Sequence, residues 1–221
     1  MAETTEDRTD RARRIIVLRH GQTDHNAAGI WQGQLDSHLS PVGEEQARNA
    51  AAALSAFAID RVVASDLVRA AETGRVVAEA VGVPLELDER LREIHAGEWQ
   101  GLTGAQVREQ FPEDQDKLLS GEDFKRGRTG ESVAEVADRV AGALADVLGA
   151  LEPGHTVLLA THGVTGRTIA AQLVGIPQEL AWQALAGLGN CHWVVCVEGR
   201  SGWRIQEWNA RAHGADDTSI W

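Results

Sequence analysis

Two short apolar segments, each followed almost directly by a His-Gly pair, limit the folds open to this chain more than any other feature. Residues 15–18 and 156–160 are too short for helices and are flanked by polar residues, so each is predicted to form a buried strand. His20 follows the first strand after one arginine, and His162 follows the second after one threonine. Ligands of open α/β sheets bind at the carboxyl ends of the strands. We therefore expect the two imidazoles to meet at one edge of one sheet.

A single histidine at the end of a strand is usually a structural residue, but the repeat of the arrangement favours a functional role. Arg19 supplies a cation directly before the first histidine, and Gly21 allows a tight turn or a close approach of the backbone to a ligand. Thr23 and Asn26 add hydroxyl and amide groups that suit phosphate oxygens. The stretch is therefore typical of an anion site.

Two further charged residues are predicted to lie near the same edge. Residues 59–64 form another predicted strand, and Arg69 falls in the first turn of a helix over residues 67–81, which Asp66 is expected to cap. There the helix dipole and the guanidinium both favour an anion, although a surface arginine paired with a nearby carboxylate fits this segment equally well. Glu93 is flanked by apolar residues, which predicts partial burial and suits a proton donor, whereas most loop glutamates are simply solvated.

The rest of the chain alternates predicted strands and helices, which indicates an α/β fold. We predict a three-layer α/β/α sandwich with a mostly parallel central sheet and a C-terminal antiparallel hairpin. Helices are predicted over residues 41–57, 133–151, 164–174 and 178–185, an edge strand over 82–87, and the hairpin over 191–197 and 203–208. Cys191 and Cys196 are five residues apart and should point to opposite faces of the hairpin. The same spacing predicts opposite faces for Trp203 and Trp208.

Residues 102–130 are predicted to form an insertion on the substrate side of the domain. The segment begins with a capping box at Thr103, and its polar, turn-rich part from residue 112 is typical of a loop or a small helical excursion. Its basic residues are Lys117, Lys125, Arg126 and Arg128. These cations either tune the choice of substrate or form a solvated charge cluster.

The length and charge of the chain exclude several classes of protein. With 221 residues it suits one domain, predicted over residues 13–208, between a disordered tail at 1–12 and a flexible tail at 209–221. The net charge of -12 argues against a nucleic-acid partner, and no apolar run is long enough to span a membrane. Two cysteines, no secretory signal and no zinc-ligand spacing predict a cytoplasmic protein without a metal site.

The motifs and their order resemble the histidine phosphatase superfamily, in its phosphoglycerate mutase-like branch. The stretches that carry the resemblance are Arg19-His20-Gly21-Gln22-Thr23, Asn26, residues 65–70, Glu93 with Gly97, and Thr161-His162-Gly163. Further stretches at 32–36, 91–103, 189–193 and 203–209 resemble an actinobacterial subgroup that dephosphorylates glucosyl-3-phosphoglycerate. The resemblance implies an enzyme that needs neither a metal ion nor an organic cofactor.

The resemblance also implies a role for each candidate residue. His20 is expected to be the nucleophile that carries a phosphohistidine, and Glu93 to protonate the leaving alkoxide and then activate water. The residues expected to bind the phosphoryl oxygens are Arg19, Arg69 and His162, helped by Asn26 and the main-chain amide of Val164. Gln32 is expected to line the substrate entrance.

Several functions fit these residues. We favour a phosphomonoester hydrolase that acts on a phosphoglycerate-type substrate such as glucosyl-3-phosphoglycerate. Phosphoglycerate mutases of the family carry a longer basic insertion, whereas here Glu131 follows Glu93 by only 38 positions. A broad-specificity phosphatase with another natural substrate is the main rival. A scaffolding protein without catalysis is disfavoured because every charged position of the site is present. The expected partner is a small phosphomonoester, and a homodimer is a candidate assembly.

Overall fold

The computed structural model describes residues 12–212, whose six strands form one sheet with helices on both faces. The strands are β1 (Arg14–Arg19), β2 (Arg61–Ala64), β3 (Leu85–Leu87), β4 (Thr156–Thr161), β5 (Trp193–Gly199) and β6 (Gly202–Ala210). The helices are α1 (Asp24–Ala27), α2 (Pro41–Leu54), α3 (Val68–Val81), α4 (Gly104–Gln110), α5 (Pro112–Ser120), α6 (Val133–Ala150), α7 (Gly163–Val174) and α8 (Gln178–Ala184). Short 3₁₀ turns lie at Ser55–Phe57, Glu89–Leu91 and Gly97–Trp99.

The strand order in the sheet is β3-β2-β4-β1-β5-β6. The first four of these strands run parallel, while β5 is antiparallel to both β1 and β6. This confirms the predicted sandwich with a mostly parallel sheet and a C-terminal antiparallel hairpin. Arg19 lies opposite Thr161 in the β1–β4 register. A histidine directly follows each of these two strands, so His20 and His162 lie side by side at the edge of the sheet.

Alternate residues of the central strands build a separate core on each face of the sheet. In β1, Ile15 and Val17 pack with α6 and α7, whereas Ile16 and Leu18 pack with α2 and α3. All six residues of β4 are buried as well. Strands covered on both faces read as continuous apolar runs. This packing fixes the points at which the two histidines emerge.

Polar caps set the beginnings of several helices. The hydroxyls of Ser40, Thr103 and Ser132 each accept a hydrogen bond from the amide three residues later, as predicted for α2, α4 and α6. The first of these helices is shorter than expected, because it ends at Leu54 and the chain continues as a 3₁₀ turn. Each start is encoded locally by a hydroxyl residue, whereas the end is not.

The start of α3 is set by a distant residue, and the prediction that Asp66 caps it is wrong. The amide of Val68 donates instead to Asp36 Oδ1 at 2.8 Å. Asp66 forms a two-point ion pair with Arg92. A bidentate carboxylate–guanidinium pair is stronger than a single cap hydrogen bond, so the partner across the loop outcompetes the local amide.

The C-terminal hairpin departs from strict alternation. The pairing of β5 with β6 shifts register at two points, which is the signature of a β-bulge. Trp203 and Trp208 consequently pack against the same core, the one formed with α6 and α7, and the prediction of opposite faces is wrong for them. Cys191 and Cys196 do lie in different cores and are free thiols, as predicted.

The ends of the domain are only partly described. Strand β6 continues to Ala210, two residues beyond the predicted boundary at 208. Asn209 belongs to the fold because its Oδ1 accepts the amide of Gly189 at 2.9 Å. Residues 1–11 and 213–221, which make up most of the two predicted tails, lie outside the described residues.

The insertion is a helical excursion. Its helices α4 and α5 enclose a small third core in which Trp99, Val107 and Phe111 are buried. Trp99 is fully buried and therefore packs rather than lining a pocket. Across residues 12–212, none of the helices combines the length and the apolar character needed to cross a membrane.

Candidate active site

The two imidazoles meet at the edge where the sheet pairing places them. The ring centroids of His20 and His162 are 5.2 Å apart, with the ring planes at 61°. Both side chains are buried, at 3% and 0% exposure. Gly163 borders two further groups, since a Cβ built on it would lie 3.7 Å from both Arg19 Nε and Glu93 Oε2. The arginine and the carboxylate therefore approach each other beside the histidine pair.

The hydrogen bonds of His20 fix its tautomer. Nδ1 lies 2.7 Å from the carbonyl oxygen of Gly21, which can only accept, so this nitrogen carries the proton. Nε2 accepts a hydrogen bond from Arg69 Nε at 3.2 Å. Burial, Arg69 and Arg19 lower the pKa of His20 well below its usual value, so the ring stays neutral. Nε2 is therefore the unprotonated nitrogen of the ring, and its lone pair points to Arg69.

The backbone around His20 is held from several sides. Its carbonyl oxygen accepts the amide of Cys191 and Nδ2 of Asn190, both at 3.1 Å. The amide of Gly21 donates to Thr73 Oγ1 at 3.1 Å. A Cβ at position 21 would lie 2.5 Å from the carbonyl oxygen of Gly43, so only glycine fits there. The nucleophile candidate is thus held rigidly.

His162 has the same tautomer as His20, but its other ring nitrogen is the one bonded to a neutral protein group. Nε2 lies 3.0 Å from Ser65 Oγ, and that oxygen also accepts the amide of Leu67 at 3.3 Å. The fully buried hydroxyl hydrogen of Ser65 then donates to Nε2, which leaves the proton of the ring on Nδ1. Nδ1 is buried without a hydrogen-bond partner within residues 12–212. Burial, followed by the Arg69 charge, lowers the pKa of His162 well below its usual value. The ring is therefore a neutral donor.

Arg69 and Arg19 bring positive charge to the histidines. Arg69 is 1% exposed, and its two terminal nitrogens donate to the carbonyls of Leu35 and Gly33 at 2.8 and 2.7 Å. Burial lowers the pKa of Arg69 to about 10, so it remains a cation at neutral pH. Arg19 Nη1 donates to the Leu188 carbonyl, and its Nε is buried without a partner in the described part of the chain. Burial lowers the pKa of Arg19, and the charge of Glu93 opposes this.

The half-buried carboxylate of Glu93 lies at the amino end of α7. Its oxygens accept the amides of Val164 and Thr165 at 3.2 and 3.1 Å. The Glu93 backbone is held from outside, since its carbonyl accepts from Gln34 Nε2 and Arg139 Nη2 at 3.1 and 3.3 Å. The amide of Val164, expected to contact the phosphoryl group, thus donates to the acid in this structure.

Together these groups place two buried, neutral imidazoles, two cations and a carboxylate at one sheet edge. A family model described as the histidine phosphatase superfamily (branch 1) matches residues 15–211. The chain belongs to this superfamily. The resemblance carried by the sequence motifs is thereby confirmed, and the chain is a phosphatase enzyme.

Relatives of this histidine phosphatase carry specific names. It is 39% identical over 223 residues to the glucosyl-3-phosphoglycerate phosphatase of Mycobacterium tuberculosis, covering 94% of this chain and 99% of that relative. It is 36% identical over 163 residues to a probable phosphoglycerate mutase of an Enterobacter strain, covering 74% and 75% of the two chains. A solved mycobacterial glucosyl-3-phosphoglycerate phosphatase with VO3 matches it with a TM-score of 0.82 at 39% identity, over 90% of this chain and 100% of that one.

The predicted substrate-binding residues of the phosphatase form one network beside His20. The amide of Thr23 and Nδ2 of Asn190 both donate to Asn26 Oδ1, at 3.1 and 3.3 Å. This turns the Asn26 oxygen inward and leaves its amide hydrogens as donors. Thr23 is fully buried, and its hydroxyl lies 3.0 Å from Oε1 of the buried Gln32. Thr23 therefore supports Asn26 and Gln32.

The sequence analysis did not identify two polar residues of the site. Asn190 joins His20 to Asn26, but in sequence its Gly-Asn pair indicates only a turn before the hairpin. Ser65 orients His162, and a signal for it did exist. It is a small polar residue directly after β2, which pairs with β4, so it emerges at the same sheet edge as His162.

Proposed function

We propose that this phosphatase hydrolyses a phosphomonoester through a phosphohistidine on His20. One observation carries the proposal: Nδ1 of His20 is tied to a carbonyl, so Nε2 is the unprotonated nitrogen of a ring that stays neutral, with its lone pair pointing to the cation Arg69. A neutral imidazole is a competent phosphoryl acceptor, and a covalent intermediate divides one difficult step into two.

In the first step, Nε2 of His20 attacks phosphorus and the bond from phosphorus to the ester oxygen breaks. Glu93, as the acid, gives its proton to the departing alkoxide. The guanidinium groups of Arg19 and Arg69 neutralise the phosphoryl oxygens, and His162 donates its Nδ1–H to them. Phosphoryl transfer depends mainly on such positioning and charge stabilisation.

In the second step, a water molecule attacks phosphorus and the bond from phosphorus to His20 breaks. Glu93 takes a proton from this water, and inorganic phosphate leaves. Asn26 and Gln32 guide the substrate at the entrance. Every proton is handled by a residue of the chain, so no step is assigned to a metal ion or an organic cofactor.

The substrate we propose is of the phosphoglycerate type, such as glucosyl-3-phosphoglycerate. The relatives that bear this name are similar over nearly the whole chain, which supports the assignment. The proposed setting is the cytoplasm, with a small phosphomonoester as partner and without nucleic acid. The acidic charge and the two free, buried cysteines support this setting. A homodimer is the proposed assembly.

The reaction is tested by following phosphate release and isomerisation of 3-phosphoglycerate in parallel, with glucosyl-3-phosphoglycerate and p-nitrophenyl phosphate as further esters. We expect phosphate release to dominate, with glucosyl-3-phosphoglycerate giving the highest kcat/KM. An acid-labile phosphoryl group should be trapped on His20 after rapid quenching. Isomerisation that outpaces release would instead make the protein a mutase, and equal rates on all esters would make it a broad-specificity phosphatase.

A further inference from the structure

A second group of cations lies near the active site, and no step of the proposed hydrolysis uses it. The Arg167 guanidinium lies 3.8 Å from the ring centroid of Trp182, and that of Arg126 lies 5.5 Å from the same centroid. Arg126 belongs to the insertion, Trp182 to α8 and Arg167 to α7. Three separate segments thus bring two cations to one indole, and we call these three residues the Trp182 cluster.

Arg126 differs from the other basic residues of the insertion. Lys117, Lys125 and Arg128 are at least one-third exposed, and each pairs with a carboxylate, so they are the solvated charges that the composition of this segment predicts. Arg126 is 2% exposed and donates to the Phe124 carbonyl at 2.6 Å. Its closest approach to Asp123 is 3.9 Å, and that carboxylate also accepts two amides at the start of α6. The charge of Arg126 is therefore only partly neutralised.

Arg167 lacks a carboxylate within salt-bridge distance among residues 12–212, and its Nη1 donates to the Leu185 carbonyl at 3.1 Å. Burial lowers the pKa of Arg167 to about 10, Glu93 opposes this shift, and Arg126 adds to it. Two cations on one ring repel each other, and their partial desolvation is unfavourable. An anionic ligand next to the two guanidinium groups would reduce their repulsion and compensate for their lost hydration.

The position of the Trp182 cluster relates it to the alcohol half of the substrate. Glu93 protonates the ester oxygen, so the group attached to that oxygen extends from the Glu93 side of the phosphoryl group. Glu93 binds the amides of Val164 and Thr165 in the first turn of α7, and Arg167 lies one turn further along the same helix, where the Glu93 charge still acts on its guanidinium. The substrate alcohol therefore leads toward Arg167.

We propose that Arg167, reinforced by Arg126 at the same Trp182 ring, binds a carboxylate on the alcohol half of the substrate. This phosphatase then selects phosphomonoesters that carry a carboxylate close to the phosphorylated hydroxyl. The inference rests on the proposed function, because the role of Glu93 is what orients the alcohol. Arg19 and Arg69 bind the charged phosphoryl oxygens, and the Trp182 cluster binds the additional carboxylate.

The test uses two esters that differ at one group. In 3-phosphoglycerate a carboxylate stands where glycerol 3-phosphate has a hydroxymethyl group. Steady-state kinetics on both esters are measured for the wild type, Arg167→Gln, Arg167→Lys and the control Arg204→Gln, which alters an exposed arginine of β6. Thermal unfolding of each variant shows that it is folded.

We expect the wild type to prefer 3-phosphoglycerate. Arg167→Gln should lower kcat/KM for this ester about tenfold or more, mainly by raising KM, because a charge-assisted hydrogen bond is lost. Activity on glycerol 3-phosphate should change less than about twofold. Arg167→Lys should retain part of the preference, since it keeps the charge but not the planar fork of donors.

A wild-type enzyme without preference between the two esters overturns the inference, as does an Arg167→Gln variant that loses the same factor on both. In either case the phosphatase itself stands. Failure of the proposed function is a different result, in which the wild type releases phosphate from neither ester.

Discussion

The carboxyl ends of β1 and β4 carry the same His-Gly pair, yet the surroundings of the two histidines differ. After β1 the chain passes close to α2, where Gly21 lies against the Gly43 carbonyl. After β4 it enters α7 directly, with Glu93 bound to the first amides of that helix. Both rings carry their proton on Nδ1, but the Gly21 carbonyl accepts this proton in His20, whereas Ser65 binds Nε2 of His162 and leaves its Nδ1–H as a donor.

This difference shows how one local motif serves two chemical roles. The apolar strand and the glycine deliver an imidazole to the sheet edge in both cases. What each imidazole can then do depends on which groups from other segments face its two nitrogens. The proposed nucleophile and the proposed donor are therefore distinguished by the groups around them and not by the motif itself.

The largest effect is expected from replacing the histidines. His20→Ala should lower kcat by at least roughly 10⁴-fold, the scale at which a covalent nucleophile is lost, and abolish the trapped phosphohistidine. His162→Ala should lower kcat by about 10²–10³-fold, because one donor to the phosphoryl group is removed. Rapid-quench labelling and steady-state kinetics measure both.

Asparagine variants sharpen the same comparison. In His162→Asn the amide nitrogen can stand near the original Nδ1, so more activity should survive than in His162→Ala. His20→Asn should be as inactive as His20→Ala, since an amide is not a nucleophile. Equal residual activity at both positions would contradict the division of roles.

The two arginines come next. Arg69→Ala and Arg19→Ala should each cost about 3–4 kcal/mol of transition-state stabilisation, which lowers turnover at least about a hundredfold. Arg69→Ala should also lower the Tm more than Arg19→Ala, because it leaves the carbonyls of Gly33 and Leu35 without their donor. Arg61→Ala, on a surface ion pair with Glu86, is the matched control. Near-normal turnover in both site variants would rule out the anion pocket.

A smaller effect is expected at Ser65, which hydrogen-bonds His162 and has no proposed contact with the phosphoryl group. Ser65→Ala should lower kcat by about five- to tenfold, the worth of one hydrogen bond, with KM unchanged. The effect should vanish when it is combined with His162→Ala, because the tautomer of a missing ring has no consequence. Additive losses in this double-mutant cycle would mean that Ser65 acts independently of His162.

The smallest effect concerns stability and pH. Both histidines have a folded-state pKa well below their usual 6.5, so below pH 6.5 the unfolded chain binds protons that the folded chain does not. The stability they support is full above pH 6.5 and is lost as the pH falls toward their folded pKa values. His20→Asn and His162→Asn should each reduce this dependence by about one proton. Urea unfolding across the acidic range measures it, and an unchanged slope would show that the rings are not buried as neutral groups.

Much of the site follows from the sequence because strands are encoded by residues that are close together in the chain. Apolar runs that end in His-Gly were enough to name His20 and His162. Local patterns made Arg69 and Glu93 candidates beside equally good or better structural alternatives, and the family resemblance then favoured a functional role for both. The caps at Ser40, Thr103 and Ser132 were readable for the same reason, since the bonded groups lie three residues apart.

Other features needed the folded chain. Asp66 forms an ion pair with Arg92 instead of capping α3, and the bulge in the hairpin brings Trp203 and Trp208 to one face. Arg126 is buried against Trp182 while its basic neighbours stay at the surface. In each case the sequence offers several partners, and burial selects among them.

The amino-acid sequence alone determined the α/β alternation, the shared edge of the two histidines and the family of the enzyme. The tertiary structure decided the tautomer of each imidazole, the position of Ser65 and Asn190, and which arginines of the described part of the chain lack an acidic partner. The physical reason is that strands and caps depend on residues close in the chain. A proton's place on a buried ring depends instead on atoms that only folding brings within hydrogen-bond distance.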